Sequence, residues 1–182
     1  TPYIYPIKGK EKDWCERLSK ISGPKVGLVW NGGFRANQPE LWGVNNRRNI
    51  PFELISKINI PHINFFSLQK GAEAEKILRD NKEQYWPEDT KNFHNFTSEL
   101  DDFSDTAALI ANLDLVISVD TSTAHLAGAM NKPVWILNRH DNCWRWLESG
   151  EQSPWYPSAK LYRKKYAEGW ENIVQQVRHD LL

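Results

Sequence analysis

The chain of 182 residues is long enough to bury one core and too short for two comfortable ones. Its 23 basic and 23 acidic residues give a formal net charge of zero, which excludes a global field that would gather nucleic acid or an anionic membrane. The two cysteines, Cys15 and Cys143, are single and far apart, a pattern that fits neither a disulfide scaffold nor a metal knuckle.

No apolar run approaches the roughly 20 residues that span a bilayer, and no signal peptide opens the sequence. A protein of a reducing, cytoplasmic compartment without a membrane span is therefore expected. Residues 1 to about 23, with Pro2, Tyr3 and Pro6 near the start, read as a connector and helix arriving from an upstream half, and 24–182 as the domain proper. Within the connector, Trp14, Leu18 and Ile21 share a helical face over about 11–20, and Gly23-Pro24 ends that element.

Lys25 to Trp30 is a buried first strand that runs into Asn31-Gly32-Gly33, where paired glycines allow close approach of backbone to a ligand or simply make a turn. From Phe34 to Asn49 the chain is polar, rich in Asn and loop-like, and it ends in Arg47-Arg48. Pro51 then suits the first turn of a helix reaching about Ile58, with Phe52 and Ile55 inward. Ile63 to Leu68 is a second strand followed by Gln69-Lys70-Gly71, and a helix over Ala72 to Arg79 returns the chain. Residues 80–92 read as irregular, and Phe93 to Phe96 as a short third strand.

Ser104 is placed to cap a helix that ends near Asn112, with Asp105 in its first turn. Leu115 to Val119 is then an apolar, β-branched strand that stops at Asp120. Thr121, Ser122 and Thr123 follow, and a small-residue helix begins with His125 in its second turn. Amides at such a helix start lack intrahelical partners and the helix dipole is positive there, so the turn suits a phosphate. A plain helix cap accounts for Asp120-Thr121-Ser122 equally well, and His125 alone would read as a satisfied core histidine. If Thr121 caps the helix, however, the imidazole lies above the same face as the hydroxyl and the free amides.

Gly128 is tolerable in that helix if it packs close to the sheet, and Asn131-Lys132-Pro133 stops it. Val134 to Leu137 is a fifth strand, an aromatic loop covers about 138–158, and Lys160 to Arg163 is the last strand. Trp170, Ile173, Val174, Val177 and Leu181 make a closing amphipathic helix. Strands that alternate with helices throughout predict an α/β fold, a Rossmann-like parallel sheet with helices on both faces. Ligands bind such sheets beyond the strands' carboxyl ends, where Asn31-Gly32-Gly33, Gln69-Lys70, Asp102-Phe103-Ser104 and Asp120 to His125 all fall. Of the nine tryptophans, Trp42, Trp86, Trp144, Trp146 and Trp155 lie outside the strands, where packing is the commoner role and stacking on a ligand ring the alternative.

These segments, in this order, closely resemble one family. They are Lys25 to Trp30, Arg47 to Pro51, Phe65 to Gly71, Asp101 to Ala111, Leu113 to Ala129 and Ser153 to Pro157. The likeness, over about Lys25 to Arg163, is to the C-terminal half of heptosyltransferase-like glycosyltransferases, which are often fused to tetratricopeptide repeats. It implies the second Rossmann-like half of a GT-B fold, with 24–182 binding a nucleotide-diphosphate sugar, of UDP or ADP type, without a metal ion or other cofactor. The Asp120 to His125 turn, with Asp120, Thr121, Ser122, Thr123 and His125, would lie at the diphosphate. Arg48, three positions before Pro51, would contact phosphate, and Asn31, Gly32 and Gly33 border the same edge. Gln69, Lys70, Asp102 and Phe103 correspond to regions around the ribose and base.

The general base of such transferases belongs to the other half, so no residue of this chain takes that role. The implied partners are the donor, a glycan, lipid or protein acceptor, an N-terminal Rossmann-like half and possible tetratricopeptide repeats, with no nucleic acid. The chain departs from the family pattern in a longer loop between Gly33 and Arg47 and in Asn142-Cys143 ahead of Trp144. The alternative is a non-catalytic nucleotide-binding or protein-interaction module that keeps the same half fold. A dinucleotide oxidoreductase is disfavoured, because no Gly-x-Gly-x-x-Gly spacing follows Asn31.

Overall fold

Six short runs of mostly apolar residues pair into one parallel sheet. They are β1 (Lys25–Val29), β2 (Asn64–Ser67), β3 (Phe93–Asn95), β4 (Leu115–Val119), β5 (Val134–Asn138) and β6 (Ala159–Arg163), in the spatial order β3-β2-β1-β4-β5-β6. The computed structural model describes residues 2–33, 37–87 and 91–182, so Thr1 of the expected connector, 34–36 of the expected loop and 88–90 of the expected irregular stretch lie outside the described residues. Val26 pairs with both Phe65 and Leu115, so β1 is central. The chain winds outward from β1 through β2 and β3, then returns to the other side of β1 and continues through β4, β5 and β6. The strand order therefore reverses between β1 and β4, and a crevice opens beyond their carboxyl ends.

Alternate strand residues face opposite layers, as the period of two requires. Phe66, Val116 and Ile136 face a core built with Trp14 and Leu18 of α1 (Lys8–Leu18), Leu109 of α5 (Phe103–Ala111) and Ala127 of α6 (Ser122–Ala129). Phe65, Ile117 and Leu137 face the other core, shared with Phe52 and Ile55 of α3 (Phe52–Ile55), Leu78 of α4 (Ala72–Tyr85) and Ile173 and Val177 of α7 (Glu171–Asp180). The expected sheet with helices on both faces is present. α1 is part of the first layer: Lys10 Nζ donates to Asp105 Oδ1 at 2.5 Å and Arg17 grips Glu99 at 2.6 Å. Among the described residues no helix is long and apolar enough to cross a membrane.

Several local expectations are corrected. The polar stretch before Arg48 is not all loop: Pro39 opens a 3-10 turn, Pro39–Leu41, that feeds α2 (Trp42–Arg48). Its Gly and Asn residues are poor helix formers, which hides it in the sequence. Tertiary ties hold it, since Arg47 donates to Asp141 Oδ2 at 2.7 and 2.9 Å, and Arg47 and Arg48 lie in the last turn, where the dipole favours cations. Pro51 is the N-cap of α3 rather than its first helical residue, and a 3-10 turn, Ser56–Ile58, completes that segment.

α4 continues past Arg79 to Tyr85, and the buried Trp86 follows it, with Nε1 donating to Asn92 Oδ1 at 2.9 Å. The N-cap of α5 is Asp102, not Ser104. Its carboxylate accepts from Ser104 N and Asp105 N while Asp105 reaches back to the Asp102 amide, a reciprocal capping box. At the β6 edge of the sheet, Glu151 and Gln152 run antiparallel to the strand, with Leu161 N donating to Glu151 O at 2.7 Å.

Gly128 does sit in a tight place, but its neighbour is a ring and not the sheet. A Cβ there would lie 2.5–2.8 Å from the ring of Tyr156. Removing a helical glycine is worth about 1 kcal/mol, whereas overpacking against an immobile ring costs about 1–3 kcal/mol. Gly128→Ala is therefore expected to lower the denaturant midpoint; an unchanged or raised midpoint would mean that the Tyr156 ring moves freely.

Candidate functional site

The crevice between the ends of β1 and β4 is bridged by one side chain. Arg48, at the end of α2, donates from Nη1 to Asp120 O at 2.9 Å and from Nη2 to Asn45 Oδ1. Both acceptors are neutral oxygens. Gly32 makes this possible: a Cβ at that position would lie 1.9–2.3 Å from the guanidinium of Arg48. The first glycine after β1 is thus required by the arginine, while a Cβ on Gly33 would meet nothing within 4 Å.

The amides after β1 are already used within the protein. Gln69, buried at the end of β2, accepts from Trp30 N at 3.1 Å and Asn31 N at 2.8 Å, and donates to Asn31 O and Lys70 O. Asn49 Oδ1 accepts from Gly32 N at 2.8 Å. With its amide oriented to satisfy its neighbours, Asn31 donates to Trp30 O and Ile50 O. Lys70 Nζ donates to Thr97 O at 2.8 Å. Asn31, Gly32, Gly33 and Lys70 nonetheless border an open cleft of about 800 Å³, whose far wall is formed by Trp42 and Asn46 of α2 and the start of α4.

At the β4–α6 turn Thr121 is the extended N-cap residue, yet its hydroxyl makes no cap. Ser118 Oγ donates to Val119 O at 2.7 Å, so the 2.9 Å contact between Ser118 Oγ and Thr121 Oγ1 takes its hydrogen from Thr121. The first-turn amides of α6 donate no hydrogen bond to the Thr121 side chain. Ser122 is exposed and Thr123 is buried.

His125 is half-buried, stacked on the buried Trp146 with ring centroids 4.8 Å apart. Its Nδ1 meets the Tyr156 hydroxyl at 3.0 Å, and its Nε2 lies 3.8 Å from Asp120 Oδ1. Burial lowers the histidine's pKa below its ordinary 6.5, against the opposing pull of Asp120 and with a smaller push from Arg145. Burial also pushes the Tyr156 phenol up to about 12, so the phenol remains protonated.

The sequence candidates are thus brought to one sheet edge but not to one cavity. Asn31, Gly32, Gly33 and Lys70 line the cleft on the β1–β2 side, and His125 lines a separate cup of about 230 Å³ with Tyr3, Trp144, Arg145, Trp155 and Tyr156. Arg48 and Asp120 join the two sides. Asp102 serves as a helix cap, held below the usual carboxylate range by hydrogen bonds from Ser104 and Asp105, and the neighbouring Phe103 ring is exposed. Neither residue lines either cavity. Asn45, Asn49, Asp141, Trp146 and Tyr156 join the site through the fold and lie outside the site residues that the sequence predicts. The run of asparagines before Arg47 and the Trp-rich segment around Trp144 were the available signals. Among the described residues no group of three or more His, Cys, Asp or Glu is placed to hold a metal ion.

A doubly wound parallel sheet with helices on both faces and an arginine across its switch point defines a Rossmann-like α/β domain. Residues 66–172 match the family model of glycosyltransferase family 9 (heptosyltransferase), and the chain belongs to that family. The fold is shared with ADP-heptose lipopolysaccharide heptosyltransferase II of E. coli, at a TM-score of 0.68 and 16% identity over 99% of this chain and 52% of that one. It is also shared with a family 9 glycosyltransferase from Veillonella parvula, at a TM-score of 0.61 and 13% identity over 88% of this chain and 42% of the other. The C-terminal domain of a group 1 glycosyltransferase from Francisella tularensis overlays at a TM-score of 0.53 and 15% identity over 97% of this chain and 82% of that one. In sequence, the chain is 31% identical to protein FlbA of Caulobacter vibrioides over 96% of its own length, and it spans 28% of that relative.

The neutral state of His125 has a measurable consequence. A histidine whose folded pKa lies below its unfolded value of 6.5 favours the fold at higher pH, and that contribution is lost as pH falls from about 6.5 towards the folded pKa. Burial lowers His94 in the same way. Unfolding free energy measured between pH 7.5 and pH 5, on this argument of ~6.5 as the unfolded value, should fall less steeply in His125→Asn than in the unaltered protein; identical slopes would refute the assignment.

Proposed function

We propose that this chain is the donor-binding half of an inverting glycosyltransferase that uses a nucleoside-diphosphate sugar, of UDP or ADP type, without a metal ion. The observation that carries this reading is Arg48, docked by Asn45 and the Asp120 carbonyl beside helix amides that Thr121 leaves uncapped. Membership of a glycosyltransferase family supports it.

In such a reaction the bond from the sugar to the diphosphate breaks as the acceptor oxygen attacks, and negative charge grows on the departing phosphate. What that step needs from this half is fixed positive potential, available before the charge appears. Arg48 supplies a full charge, the α6 amides supply oriented N–H groups, and the helix dipole adds to both. Ser122 offers an exposed hydroxyl at the same turn. The proton of Thr121 is spent on Ser118, so Thr121 contributes mainly through its backbone position. The cleft bordered by Asn31, Gly33 and Lys70, with the exposed Phe103 ring on the same edge, suits the ribose and base.

Removal of the acceptor's proton requires a base close to the acceptor oxygen, which this reading assigns to a residue outside the chain. His125, already hydrogen-bonded to Tyr156, stays on the phosphate side. A complete enzyme then needs a second Rossmann-like half, and the acceptor, whether glycan, lipid or protein, would be met there. The relatives and structural neighbours that extend well beyond the span of this chain are consistent with such a half, and tetratricopeptide repeats are a further candidate partner.

Titration calorimetry of the purified chain with UDP, ADP and GDP tests the reading, and binding of UDP or ADP is expected. Arg48→Ala should weaken it by about 1.5–3 kcal/mol, roughly 10- to 150-fold. Thr121→Ala should cost less, because its hydroxyl hydrogen already has a partner. No binding of any of the three, or an unchanged affinity in Arg48→Ala, would place the site elsewhere. Because His125 is neutral in the free protein, a bound diphosphate should raise its pKa and draw in a proton near pH 7, a value set by its ordinary pKa of ~6.5. Binding heats in buffers of different ionisation enthalpy should therefore report proton uptake that is lost in His125→Asn.

A further inference from the structure

The cup on the far side of His125 is separate from the cleft beside Asn31 and Lys70, and its construction is costly. Trp144 and Trp155 are 67% and 51% exposed, meet edge to face at 5.9 Å and 89°, and together with Tyr3 offer aromatic faces to solvent. Exposed rings of this size contribute little to folding. The loop that carries them is nevertheless tightly fixed.

Arg163, at the end of β6, donates to the carbonyls of Trp146, Leu147, Ser149 and Gly150. Leu147 is held in the left-handed region at φ 56°, a conformation that persists only where surrounding contacts impose it. Asn142 donates to Leu147 O at 2.9 Å, and Cys143 Sγ accepts from Arg145 at 3.1 Å, so both residues that depart from the family pattern brace this turn. Trp146 anchors it from below by stacking on His125. Ser153 Oγ accepts from Trp155 N at 3.2 Å on the other side of the cup.

Rings fixed in place before any ligand arrives bind at low entropic cost. An aromatic face carries negative potential that attracts the weakly positive C–H bonds on one side of a saturated ring. Around these faces stand polar groups able to meet hydroxyls: the Arg145 guanidinium 4.7 Å over Trp144, and the phenols of Tyr3 and Tyr156. A volume of about 230 Å³ accommodates a single sugar ring. Position decides which ring. His125 forms the floor of the cup through its bond to Tyr156 and also faces Asp120 of the phosphate turn, so an occupant lies one imidazole away from the diphosphate. The sugar joined directly to the terminal phosphate has that reach, while the larger cleft on the other side has room for the base and ribose.

We infer that the Trp144–Trp155 cup receives the pyranose ring of the donor, stacking on its C–H face while the diphosphate sits at the start of α6. This rests on the assignment of the diphosphate to that turn. Trp144 and Trp155 are then specificity-determining residues for the sugar, and the base and ribose extend the other way, into the cleft beside Asn31 and Lys70.

Calorimetry with matched ligands separates the two assignments: UDP against UDP-glucose, and ADP against ADP-glucose. In the unaltered protein the sugar nucleotide of the bound pair should bind about 2- to 10-fold tighter than its diphosphate, the range expected for one or two ring contacts. Trp144→Ala and Trp155→Ala should each reduce that ratio towards one and leave the affinity for the diphosphate within about twofold, since neither residue belongs to the turn assigned to the phosphate. Trp155→Phe, which keeps a ring, should retain most of the ratio, and Trp155→Leu, which keeps bulk without a π face, should lose it. These two substitutions decide the matter even if an alanine variant is unstable. Equal affinities for diphosphate and sugar nucleotide in the unaltered protein, or a ratio that survives the alanine and leucine substitutions, would overturn the inference while leaving the phosphate assignment intact. Failure of UDP and ADP themselves to bind would overturn both.

Discussion

The contact on which the rest of the site depends is the reach of Arg48 across the switch point of the sheet to the carbonyl of Asp120. It joins the segment after β1 to the turn after β4, the two strands between which the winding direction reverses. A hydrogen bond from a charged donor is worth only about 1.5–3 kcal/mol, so the contact does not hold the domain together. Its importance is geometric. Gly32 leaves the space, Asn45 orients the guanidinium, Asn49 fixes the Gly32 amide, and the Arg47–Asp141 pair ties α2 to the loop after β5.

How much of this could be read from the sequence follows from range. Strands β1, β2, β4 and β5 announce themselves through apolar runs bounded by turn residues, and the α/β alternation follows from them. The strand, turn and helix start around Asp120 to His125 were legible for the same reason, since they are contiguous. What failed depends on partners distant in sequence. α2 exists because Asp141 and Asp120 receive its arginines, not because Asn-rich sequence favours helix. α4 runs on to Tyr85 because Leu78 and the following Trp86 have a core to enter. Gly32 and Gly128 looked like places where backbone approaches a ligand or a sheet, and each instead admits a particular side chain, Arg48 and Tyr156. Asp102 outcompeted Ser104 as a cap because Asp105 completes the reciprocal box.

The tryptophans divide in the same way. Trp86 and Trp146 are fully buried, and Trp146 supports His125 from beneath. Trp144 lies two residues from Trp146 and is among the most exposed large side chains of the chain. Composition cannot separate the two, because a 3-10 turn sets residues two apart on different faces and only the fold says which face is inward. His125 lies between the groups so separated. Its burial, its stacking and its bond to Tyr156 keep it neutral and oriented, able to respond to charge that arrives at the turn.

The two edges of the sheet are handled differently, and this bears on how the protein behaves at high concentration. β3 is three residues long and offers little ladder to a neighbour. β6 is a longer edge, and the Glu151–Gln152 segment lies across it, with Leu161 N already satisfied. That segment is continuous with the loop pinned by Arg163, so the same guanidinium that orders the aromatic cup also helps keep a sheet edge closed. Loss of Arg163 would then be felt as self-association by strand addition as much as in ligand binding, because an uncovered edge is a template for another chain. In this fold, a covered sheet edge and the proposed sugar cup share an anchor.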